Sequence, residues 1–337
     1  MKVLQDSSLK SYNTFGIDVK AKRLVSVSSL EELKLVLKGN YAEELFVLGG
    51  GSNMLLTQDI TATVLHIDLK GIKVVKETED FVYIQANAGE NWHEFVLWTL
   101  AHDYGGLENL SLIPGNIGSS PIQNIGAYGV ELKDHFVSCE AIDIQTIEMM
   151  NFNAEQCDFG YRNSIFKNKV KGKYIITSVT FKLSKKNHQL YTNYGAIDEA
   201  LSESGITNPS IQDVSNAVIR IRQQKLPDPR ELRNSGSFFK NPVISAGAFL
   251  ELQKEYPEMP HYKISENEFK IPAGWLIDRA GFKGYREGDA GVHKNQALVL
   301  VNYGTATGSE ILNLAQKIQD KIQTQFKIAL EPEVNIF

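Results

Sequence analysis

Residues 109–130 read Asn-Leu-Ser-Leu-Ile-Pro-Gly-Asn-Ile-Gly-Ser-Ser-Pro-Ile-Gln-Asn-Ile-Gly-Ala-Tyr-Gly-Val and are the most informative part of the chain. It contains no Asp, Glu, Lys, Arg or His, although charged residues make up 22% of the chain. Its glycines allow sharp turns and close approach to a ligand, and its prolines reduce the entropy lost on ordering. Small side chains leave backbone N–H groups available to an anion. The composition fits a loop around the pyrophosphate of a dinucleotide and a buried structural loop equally well.

A second glycine cluster, Gly49-Gly50-Gly51-Ser52-Asn53, favours a dinucleotide-binding loop over a buried structural loop. It follows the apolar run Leu45–Leu48, which is predicted to be a buried strand. A Rossmann fingerprint would need glycine at Met54, and no Gly-Lys-Ser/Thr follows as it does in a P-loop. The next residues are apolar again, so the pattern predicts strand-turn-strand. On its own, the cluster fits a tight glycine turn better.

The composition narrows the class of protein. A length of 337 residues predicts two or three domains, and 42% hydrophobic residues is ordinary for a globular chain. A net charge of −5 without a long basic run argues against nucleic acid or an anionic membrane as a partner. Residues 1–10 lack the apolar core of a signal peptide, and no apolar stretch is long enough to span a bilayer. We therefore expect a cytoplasmic protein.

The cysteine and histidine content predicts neither a disulfide framework nor a metal site. Cys139 and Cys157 are the only two cysteines, so we expect reduced thiols. The histidines considered as ligands show no metal-binding spacing: His66, His93, His102 and His293.

Capping signals and periodicity predict mixed secondary structure. Capping-box patterns at Ser28 and Ser29 predict a helix that stops at Gly39, and Asn91 begins another that ends at residues 105–106. A longer helix is expected from Thr307, which can form a capping box with Glu310. Further helices are expected at 201–225, 246–256 and 273–280, and strands at 81–88, 141–152, 173–183, 297–301 and 328–336. The prolines within 225–229 predict a domain boundary.

Three further patterns carry a family resemblance. They are Phe159-Gly160-Tyr161-Arg162-Asn163-Ser164, Asn234-Ser235-Gly236-Ser237-Phe238-Phe239-Lys240-Asn241-Pro242 and Leu330-Glu331-Pro332-Glu333-Val334. Together with Tyr12-Asn13-Thr14-Phe15-Gly16 and the glycine segments, they make the chain resemble the UDP-N-acetylenolpyruvoylglucosamine reductase family. These flavoenzymes complete UDP-N-acetylmuramic acid for peptidoglycan. The resemblance covers nearly the whole chain, and the serine motif and residues 113–129 are its most specific parts.

The resemblance implies an α+β architecture with a flavin-binding fold of the vanillyl-alcohol-oxidase type, to which p-cresol methylhydroxylase also belongs. Residues 1–70 and 71–226 would be the two FAD-binding subdomains, and 227–337 an α+β substrate-binding domain with a terminal catalytic strand. Residues 191–195 and 260–262 match tyrosine-bearing segments of the first of the family's two types.

The resemblance also implies non-covalent FAD, with NADPH as reductant and UDP-N-acetylenolpyruvoylglucosamine as substrate. No His or Cys lies in either glycine segment to tether a flavin. The residues implied to contact FAD are Gly49, Gly51, Ser52, Asn53, Pro114, Gly115, Gly118, Ser119, Ser120, Gln123, Asn124, Gly126, Ala127 and Tyr128.

Three residues are candidates for the chemistry of enol-ether reduction. Hydride delivery leaves negative charge on the substrate carboxylate, which Arg162 suits because guanidinium binds carboxylate in two parallel bonds. Glu333 would polarise that carboxylate, in its protonated form if its pKa is raised. By itself Arg162 fits a surface salt bridge better. A solvated carboxylate near the terminus is a plausible alternative for Glu331 and less so for Glu333.

Ser237 matches the family's proton donor. A serine hydroxyl is a poor acid in water, so it needs cationic neighbours and a strongly basic carbanion to donate its proton. The alternative is a turn serine, which is common after glycine.

The remaining candidates bind substrate. The family's tyrosines close over the nucleotide, which makes Tyr194 and Tyr262 candidates, and the neighbouring Tyr161 is included with them. Lys225, Lys240 and Asn241 are candidates for phosphate or nicotinamide-nucleotide groups, although Lys240 also fits a solvated lysine. Gln296 matches a substrate-contacting glutamine. The six predicted substrate-binding residues are therefore Tyr161, Tyr194, Lys225, Asn241, Tyr262 and Gln296.

Two other functions compete with the reductase. An oxidase on the same fold would lack the Ser237 and Glu333 motifs and often tethers its flavin. A UDP-sugar or flavin-binding module without catalysis would not need Arg162, Ser237 and Glu333 together. Asn335 departs from relatives that carry arginine there, which affects only local packing or charge. We expect a monomer.

Overall fold

The computed structural model describes residues 1–39, 44–194 and 196–337, which contain both strands and helices. The strands are β1 Lys2–Ser8, β2 Lys20–Val27, β3 Leu45–Leu48, β4 Met54–Leu55, β5 Ile60–Ile67, β6 Ile72–Glu77, β7 Phe81–Asn87, β8 Gly126–Ala127, β9 Val130–Glu131, β10 Phe136–Asp143, β11 Met149–Asn153, β12 Tyr174–Ser184, β13 Arg233–Ser237, β14 Val243–Ser245, β15 Tyr262–Lys263, β16 Glu268–Lys270, β17 Arg286–Glu287, β18 Ala290–Val292, β19 Val299–Asn302 and β20 Asn335–Ile336. The α-helices are α1 Leu30–Lys38, α2 Trp92–Ala101, α3 Ala154–Cys157, α4 Ile197–Glu203, α5 Ile211–Lys225, α6 Ala246–Glu255, α7 Ala273–Arg279 and α8 Gly308–Phe326.

The described residues divide into two compact units, each built from three separate segments. The first unit comprises Met1–Ser7, Ala21–Gly50 and Ile60–Arg222. The second comprises Ser8–Lys20, Gly51–Asp59 and Gln223–Phe337. Helices combine with parallel and antiparallel sheets in this fold, so the predicted α+β class is confirmed.

The first unit contains two sheets. One has the order β1-β2-β5-β3, and β5 is parallel to both β2 and β3. Helix α1 buries Leu33, Val36 and Leu37 in a cluster with residues of β2 and β5. The other sheet has the order β11-β10-β12-β7-β6 and is antiparallel. Helix α2 packs Trp92 and Phe95 into its core, which supports the uncharged segment that follows.

The second unit contains a sheet of order β13-β19-β18-β17, a small sheet of order β14-β16-β15 and the parallel pair β20-β4. Its longest helix, α8, begins with the predicted capping box, because Thr307 accepts from the Glu310 N–H while Glu310 accepts from the Thr307 N–H. The buried face of α8 includes the predicted Ile311, Leu314 and Ile318.

Helix starts were predicted well because caps are local signals. Ser29 caps α1 and accepts from the Glu32 N–H, Gly39 ends that helix, and Asn91 caps α2. Helix α2 ends at Ala101, however, before the glycines at 105–106, because the chain turns at Asp103 with φ +58°.

Four other predicted elements were wrong in extent or burial. The strand at 141–152 is a hairpin of β10 and β11, because Asp143 Oδ1 accepts from two backbone N–H groups of the intervening turn. The helix at 201–225 is two helices, and Gly205 with φ +71° lies between them. The terminal strand at 328–336 is reduced to β20. Strand β3 lies at a sheet edge, so Leu48 is buried but Val47 is 43% exposed.

Candidate functional site

In the first unit, the two glycine segments meet at Gly50. A Cβ built on Gly50 would lie 2.8 Å from Asn116 Oδ1 and 3.1 Å from Gly115 Cα, so only glycine fits without movement. Within the described residues, the N–H groups of Gly50, Gly115 and Asn116 donate to no protein acceptor. Unpaired backbone N–H groups in a segment without carboxylates are suited to an oxyanion. These three backbone amides can therefore bind an oxyanion, and the FAD contacts of both segments stay predictions.

Most other amides of the uncharged segment shape the loop itself. The Ile117 N–H donates to the Glu90 carbonyl, and the Gly118 N–H donates to the Ala88 carbonyl. A Cβ on Gly118 would lie 2.6 Å from Ala88 Cβ, so this glycine allows close packing. The Ser120 Oγ donates to the Ile117 carbonyl and is buried. Gly118 and Ser120 therefore stabilise the loop itself, besides their predicted contacts with the cofactor.

The segment stores backbone strain at non-glycine residues. Leu112, Asn124 and Tyr128 have φ of +59°, +44° and +51°. Such residues cost about 1–3 kcal/mol each and persist only where neighbours hold them. His93 Nδ1 holds Leu112 by accepting its N–H at 2.9 Å, and Asn109 Nδ2 donates to the Tyr128 carbonyl at 2.9 Å. This arrangement is typical of a functional loop.

Arg162 lies at the tip of a tight turn that the uncharged segment holds. Gly160 and Asn163 exchange both backbone hydrogen bonds, and Arg162 has φ +53°. Asn124 Nδ2 donates to the Gly160 carbonyl at 3.1 Å. The next residue of the motif, Ser164, donates through Oγ to the Ile122 carbonyl at 2.7 Å. The predicted catalytic arginine and cofactor loop are thus joined within the first unit.

A second arginine, Arg222, belongs to the same neighbourhood and was not predicted. Its charge lowers the pKa of His93, in addition to the larger effect of burial. It also acts on Tyr128, whose pKa burial raises. Arg222 lies four residues after Val218, which belongs to the predicted apolar face of α5. The helical spacing could therefore have indicated it.

In the second unit, Ser237 ends a bulged strand. The register of β13 against β19 shifts between Asn234 and Ser237, at Gly236 with φ +72°. Asn234 Oδ1 accepts from the Gly236 N–H at 2.9 Å, which fixes the bulge. Phe238 follows Ser237 and is fully buried. A β-bulge changes the direction of the side chains on its strand. The bulge at Gly236 therefore influences where the Ser237 side chain is placed.

The backbone of Glu333 is hydrogen-bonded to the residue that follows the Ser237 strand, β13. The Glu333 N–H donates to the Phe238 carbonyl at 2.8 Å, and Phe239 bridges to Pro332. The predicted Lys240 pairs with Glu331 through Nζ and Oε2 at 2.9 Å, so that lysine has a carboxylate partner of its own. The structure thus brings the backbones around Ser237 and Glu333 together in the second unit, whereas Arg162 belongs to the first.

Asn53 and Ser52 of the glycine cluster also lie in the second unit. Asn53 Nδ2 donates to the Glu333 carbonyl at 3.4 Å, and its own carbonyl accepts from Asn335 Nδ2 at 3.0 Å. The departure at Asn335 therefore keeps a polar contact with a predicted cofactor residue. The Ser52 N–H has no acceptor among the described residues, which leaves it available to a ligand.

The predicted tyrosines are all exposed aromatics. Tyr161, Tyr194 and Tyr262 are 53%, 54% and 55% exposed. In the first unit, a Cβ on Gly129 would lie 3.5 Å from ring atoms of Tyr194, so that ring rests on the uncharged segment. Exposed rings with a polar tip suit stacking and hydrogen bonding to a ligand. Gly195, the last residue of the tyrosine-bearing segment, lies outside the described residues.

The other predicted substrate residues differ in their surroundings. Lys225 is exposed at the end of α5. Asn241 caps α7, because its Oδ1 accepts from the Ala273 N–H at 2.9 Å. Gln296 is half-buried, and its Oε1 accepts from the Leu298 N–H at 3.4 Å. The amide nitrogens of Asn241 and Gln296 have no acceptor among the described residues, so both can donate to a ligand.

Neither a metal site nor a membrane span is found in the parts of the chain that the structure describes. No group of three or more His, Cys, Asp and Glu there could hold a metal ion. No helix there is long and apolar enough to cross a membrane. Cys139 and Cys157 are buried free thiols.

Two family models match the chain. An FAD binding domain matches residues 21–148, and the C-terminal domain of UDP-N-acetylenolpyruvoylglucosamine reductase matches residues 228–337. The reductase of Flavobacterium johnsoniae is 60% identical over 336 residues, which cover 100% of both chains.

Solved structures give the same fold. UDP-N-acetylenolpyruvylglucosamine reductase from Thermus caldophilus superposes with a TM-score of 0.69 at 24% identity, covering 100% of this chain and 98% of that one. A p-cresol methylhydroxylase superposes with a TM-score of 0.51 at 10% identity, covering 97% of this chain and 84% of that one. The predicted flavin-binding fold is therefore confirmed.

Proposed function

The chain belongs to the UDP-N-acetylenolpyruvoylglucosamine reductase family and is an FAD-dependent oxidoreductase, and on this basis we propose its reaction. It reduces the enolpyruvyl group of UDP-N-acetylenolpyruvoylglucosamine to UDP-N-acetylmuramate with NADPH, in peptidoglycan biosynthesis. The observation that carries the proposal is the hydrogen bond from the Glu333 N–H to the Phe238 carbonyl, which brings a carboxylate-bearing residue beside the strand that ends at Ser237.

The residues present fit FAD. Gly50 packs against Gly115 and Asn116 where a Cβ would overlap, and backbone N–H groups without protein acceptors are adjacent there. The predicted FAD residues of both glycine segments would hold the cofactor without a covalent bond, since neither segment has a His or Cys. Bound FAD supplies hydride transfer, accepting hydride from a nicotinamide and returning it to another carbon.

Arg162, Glu333 and Ser237 have distinct roles in the proposed reaction. Arg162 binds the substrate carboxylate through two parallel hydrogen bonds and stabilises the charge that develops there. Glu333 polarises the same carboxylate by hydrogen bonding. Ser237 donates a proton from Oγ to the carbon that bears the carboxylate. An oxidase has no use for a proton donor at that carbon.

The remaining parts of the proposal follow from the family. Tyr161, Tyr194, Tyr262, Lys225, Asn241 and Gln296 bind the nucleotide substrate or the reductant. Residues 1–70 and 71–226 form the FAD-binding subdomains, and 227–337 form the substrate-binding domain. The enzyme acts in the cytoplasm as a monomer, without nucleic acid as a partner.

Spectroscopy of the purified protein tests the proposal. The protein should be yellow, and acid or heat should release all of the chromophore. Anaerobic NADPH should bleach the flavin absorbance, and UDP-N-acetylenolpyruvoylglucosamine should restore it with formation of UDP-N-acetylmuramate. Protein that takes up no FAD contradicts the proposal. Recovery of the absorbance with oxygen but not with the enolpyruvyl compound indicates an oxidase.

A further inference from the structure

Asn109, the first residue of the uncharged segment, has a buried side chain that the proposed chemistry does not use. The residue is 1% exposed, and its Nδ2 donates to the Tyr128 carbonyl at 2.9 Å and to the Tyr191 carbonyl at 2.7 Å. Its Oδ1 is buried and has no hydrogen-bond partner among the described residues. A side-chain amide has two N–H donors, and both are used here. The donors of Asn109 therefore join two segments that lie far apart in the chain.

The backbone around Asn109 is firmly held. Asn109 is the middle residue of a one-turn 3₁₀ helix, Glu108–Leu110, in which all three residues are buried. Trp92 Nε1 donates to the Leu110 carbonyl at 2.9 Å, and Glu108 Oε2 accepts from the Gly106 N–H at 2.6 Å. Backbone that is buried and hydrogen-bonded opens rarely. The Asn109 amide is therefore a fixed anchor for the segments that it contacts.

Residues 189–194, by contrast, have few fixed contacts. They form neither helix nor strand. Within the described parts of the chain, none of their backbone groups bonds to another backbone group, and their only hydrogen bond is the one from Asn109 to the Tyr191 carbonyl. Tyr191 and Tyr194 are exposed, whereas Leu190 packs on the apolar core. Because a stretch with so few contacts opens at a low cost in free energy, the bond from Asn109 is important for holding it in place.

The other acceptor of Asn109 belongs to the surface on which Tyr194 rests. Tyr128 and Gly129 form a turn in which φ is +51° and +82°. A Cβ on Gly129 would lie 3.3 Å from Tyr194 Cβ and 3.5 Å from two of its ring atoms. One amide thus holds both the turn beneath Tyr194 and the backbone three residues before it.

We propose that Asn109 is a positioning residue for substrate binding, whose two N–H donors hold residues 189–194 against the Tyr128–Gly129 turn and so place the Tyr194 ring. This inference rests on the proposed function, because the contact between Tyr194 and the UDP substrate is part of that function. Asn109 acts through Tyr194 and does not itself touch the substrate. Its loss should raise KM and leave kcat unchanged, because a misplaced ring weakens the binding of the ground state and the transition state alike.

Asn302 offers a matched control for the loss of a buried amide. Asn109→Leu removes both donors at similar size and without adding charge. Asn302→Leu does the same, because Asn302 is buried and its Nδ2 also donates to two backbone carbonyls, those of Phe15 at 3.0 Å and Ala306 at 3.3 Å. Asn302 belongs to the second unit and is not among the predicted site residues. Asn109→Ser and Asn302→Ser leave space for a water that satisfies the carbonyls, and they replace any leucine variant that does not fold.

Limited proteolysis of the FAD-loaded full chain tests the contact itself. Chymotrypsin accepts apolar and aromatic residues at the cleaved position, which Tyr191 and Tyr194 provide. Asn109→Leu should speed cleavage after these tyrosines by about three- to tenfold, because cleavage follows the population of the opened segment. Asn302→Leu should leave this rate within about twofold of that of the unchanged protein. Equal acceleration in both variants, or none in Asn109→Leu, overturns the proposal.

Steady-state kinetics at saturating FAD test the role in substrate binding. Asn109→Leu should raise KM for UDP-N-acetylenolpyruvoylglucosamine by about three- to tenfold and keep kcat within about twofold. In the Tyr194→Ala protein, which has no ring to place, the same change should alter KM by less than about twofold, because effects that act through one contact do not add. An equal rise in KM in both backgrounds overturns the proposal, as does a lower kcat at unchanged KM.

The two measurements separate this inference from the proposed function. If the unchanged protein does not turn over the enolpyruvyl compound, the proposed function fails and the substrate role of Asn109 fails with it, whereas the cleavage rates still decide whether Asn109 holds residues 189–194. If the unchanged protein is active and the cleavage rates of the two leucine variants are equal, only the inference about Asn109 fails.

Discussion

Replacing Gly51 by alanine should destabilise the chain much more than replacing Gly49, although both glycines are proposed to contact FAD. At Gly51 the backbone has φ +61°, and a Cβ would lie 1.9 Å from the Tyr12 carbonyl oxygen. A left-handed alanine costs about 1–2 kcal/mol. Forcing an extra group into a packed region costs about 1–3 kcal/mol more. The two effects predict that Gly51→Ala lowers the free energy of unfolding by about 2–5 kcal/mol.

Gly49 is the matched control, because a Cβ there would have no atom within 4 Å. Gly49→Ala should change the free energy of unfolding by less than about 0.5 kcal/mol. It should still weaken FAD binding, since the methyl group enters the space proposed for the cofactor. Urea unfolding at several FAD concentrations, extrapolated to zero FAD, separates stability from binding. Equal destabilisation of both variants, or an unfolding curve for Gly51→Ala that matches the unchanged protein, refutes the reasoning.

Three further predictions concern the proposed chemistry. Ser237→Ala should leave flavin reduction by NADPH intact and slow reoxidation by the enolpyruvyl substrate by about 10²–10⁴-fold in stopped-flow traces; equal slowing of both steps contradicts its role as proton donor. Tyr194→Phe and Tyr262→Phe should raise KM for the UDP substrate with little change in kcat, and a fall in kcat at unchanged KM would remove them from substrate binding. Arg162→Ala and Glu333→Ala should each slow reoxidation, and the double variant should be little slower than the slower single variant because both act on one charge. Strict additivity in that cycle would show that the two residues act separately.

The elements that could be predicted from the sequence are those fixed by neighbouring residues. Ser29, Gly39 and Thr307 mark helix ends because a cap acts within one turn. The strand predicted at 141–152 failed for a different reason. Its break depends on Asp143 accepting from two backbone N–H groups, and the apolar residues around it conceal that turn.

The candidate site residues stay predictions, and their contacts could not be derived from the sequence. Motif order gave Arg162, Ser237 and Glu333, whereas their hydrogen bonds join segments far apart in the chain. Asn241 illustrates the difference, since its use as a cap for α7 depends on a residue 32 positions away. Arg222 was missed although the helical register of α5 could have indicated it, because the sequence does not show that its charge acts on His93 and Tyr128.

The two units are built from interleaved segments of the chain, and this has a consequence for folding during synthesis on the ribosome. Residues 8–20 and 51–59 belong to the second unit, but the rest of that unit begins only at residue 223. These two segments can bond to each other, as the Thr14 N–H does to the Gly51 carbonyl, but the rest of their unit is absent until residues after 223 have been synthesised. The hydrogen bond from Thr57 Oγ1 to the Phe337 carbonyl joins residues 280 positions apart, so closing this loop costs entropy. Folding of the second unit should therefore be largely post-translational, and a gene fragment that starts at residue 223 would encode β20 without β4, its partner strand.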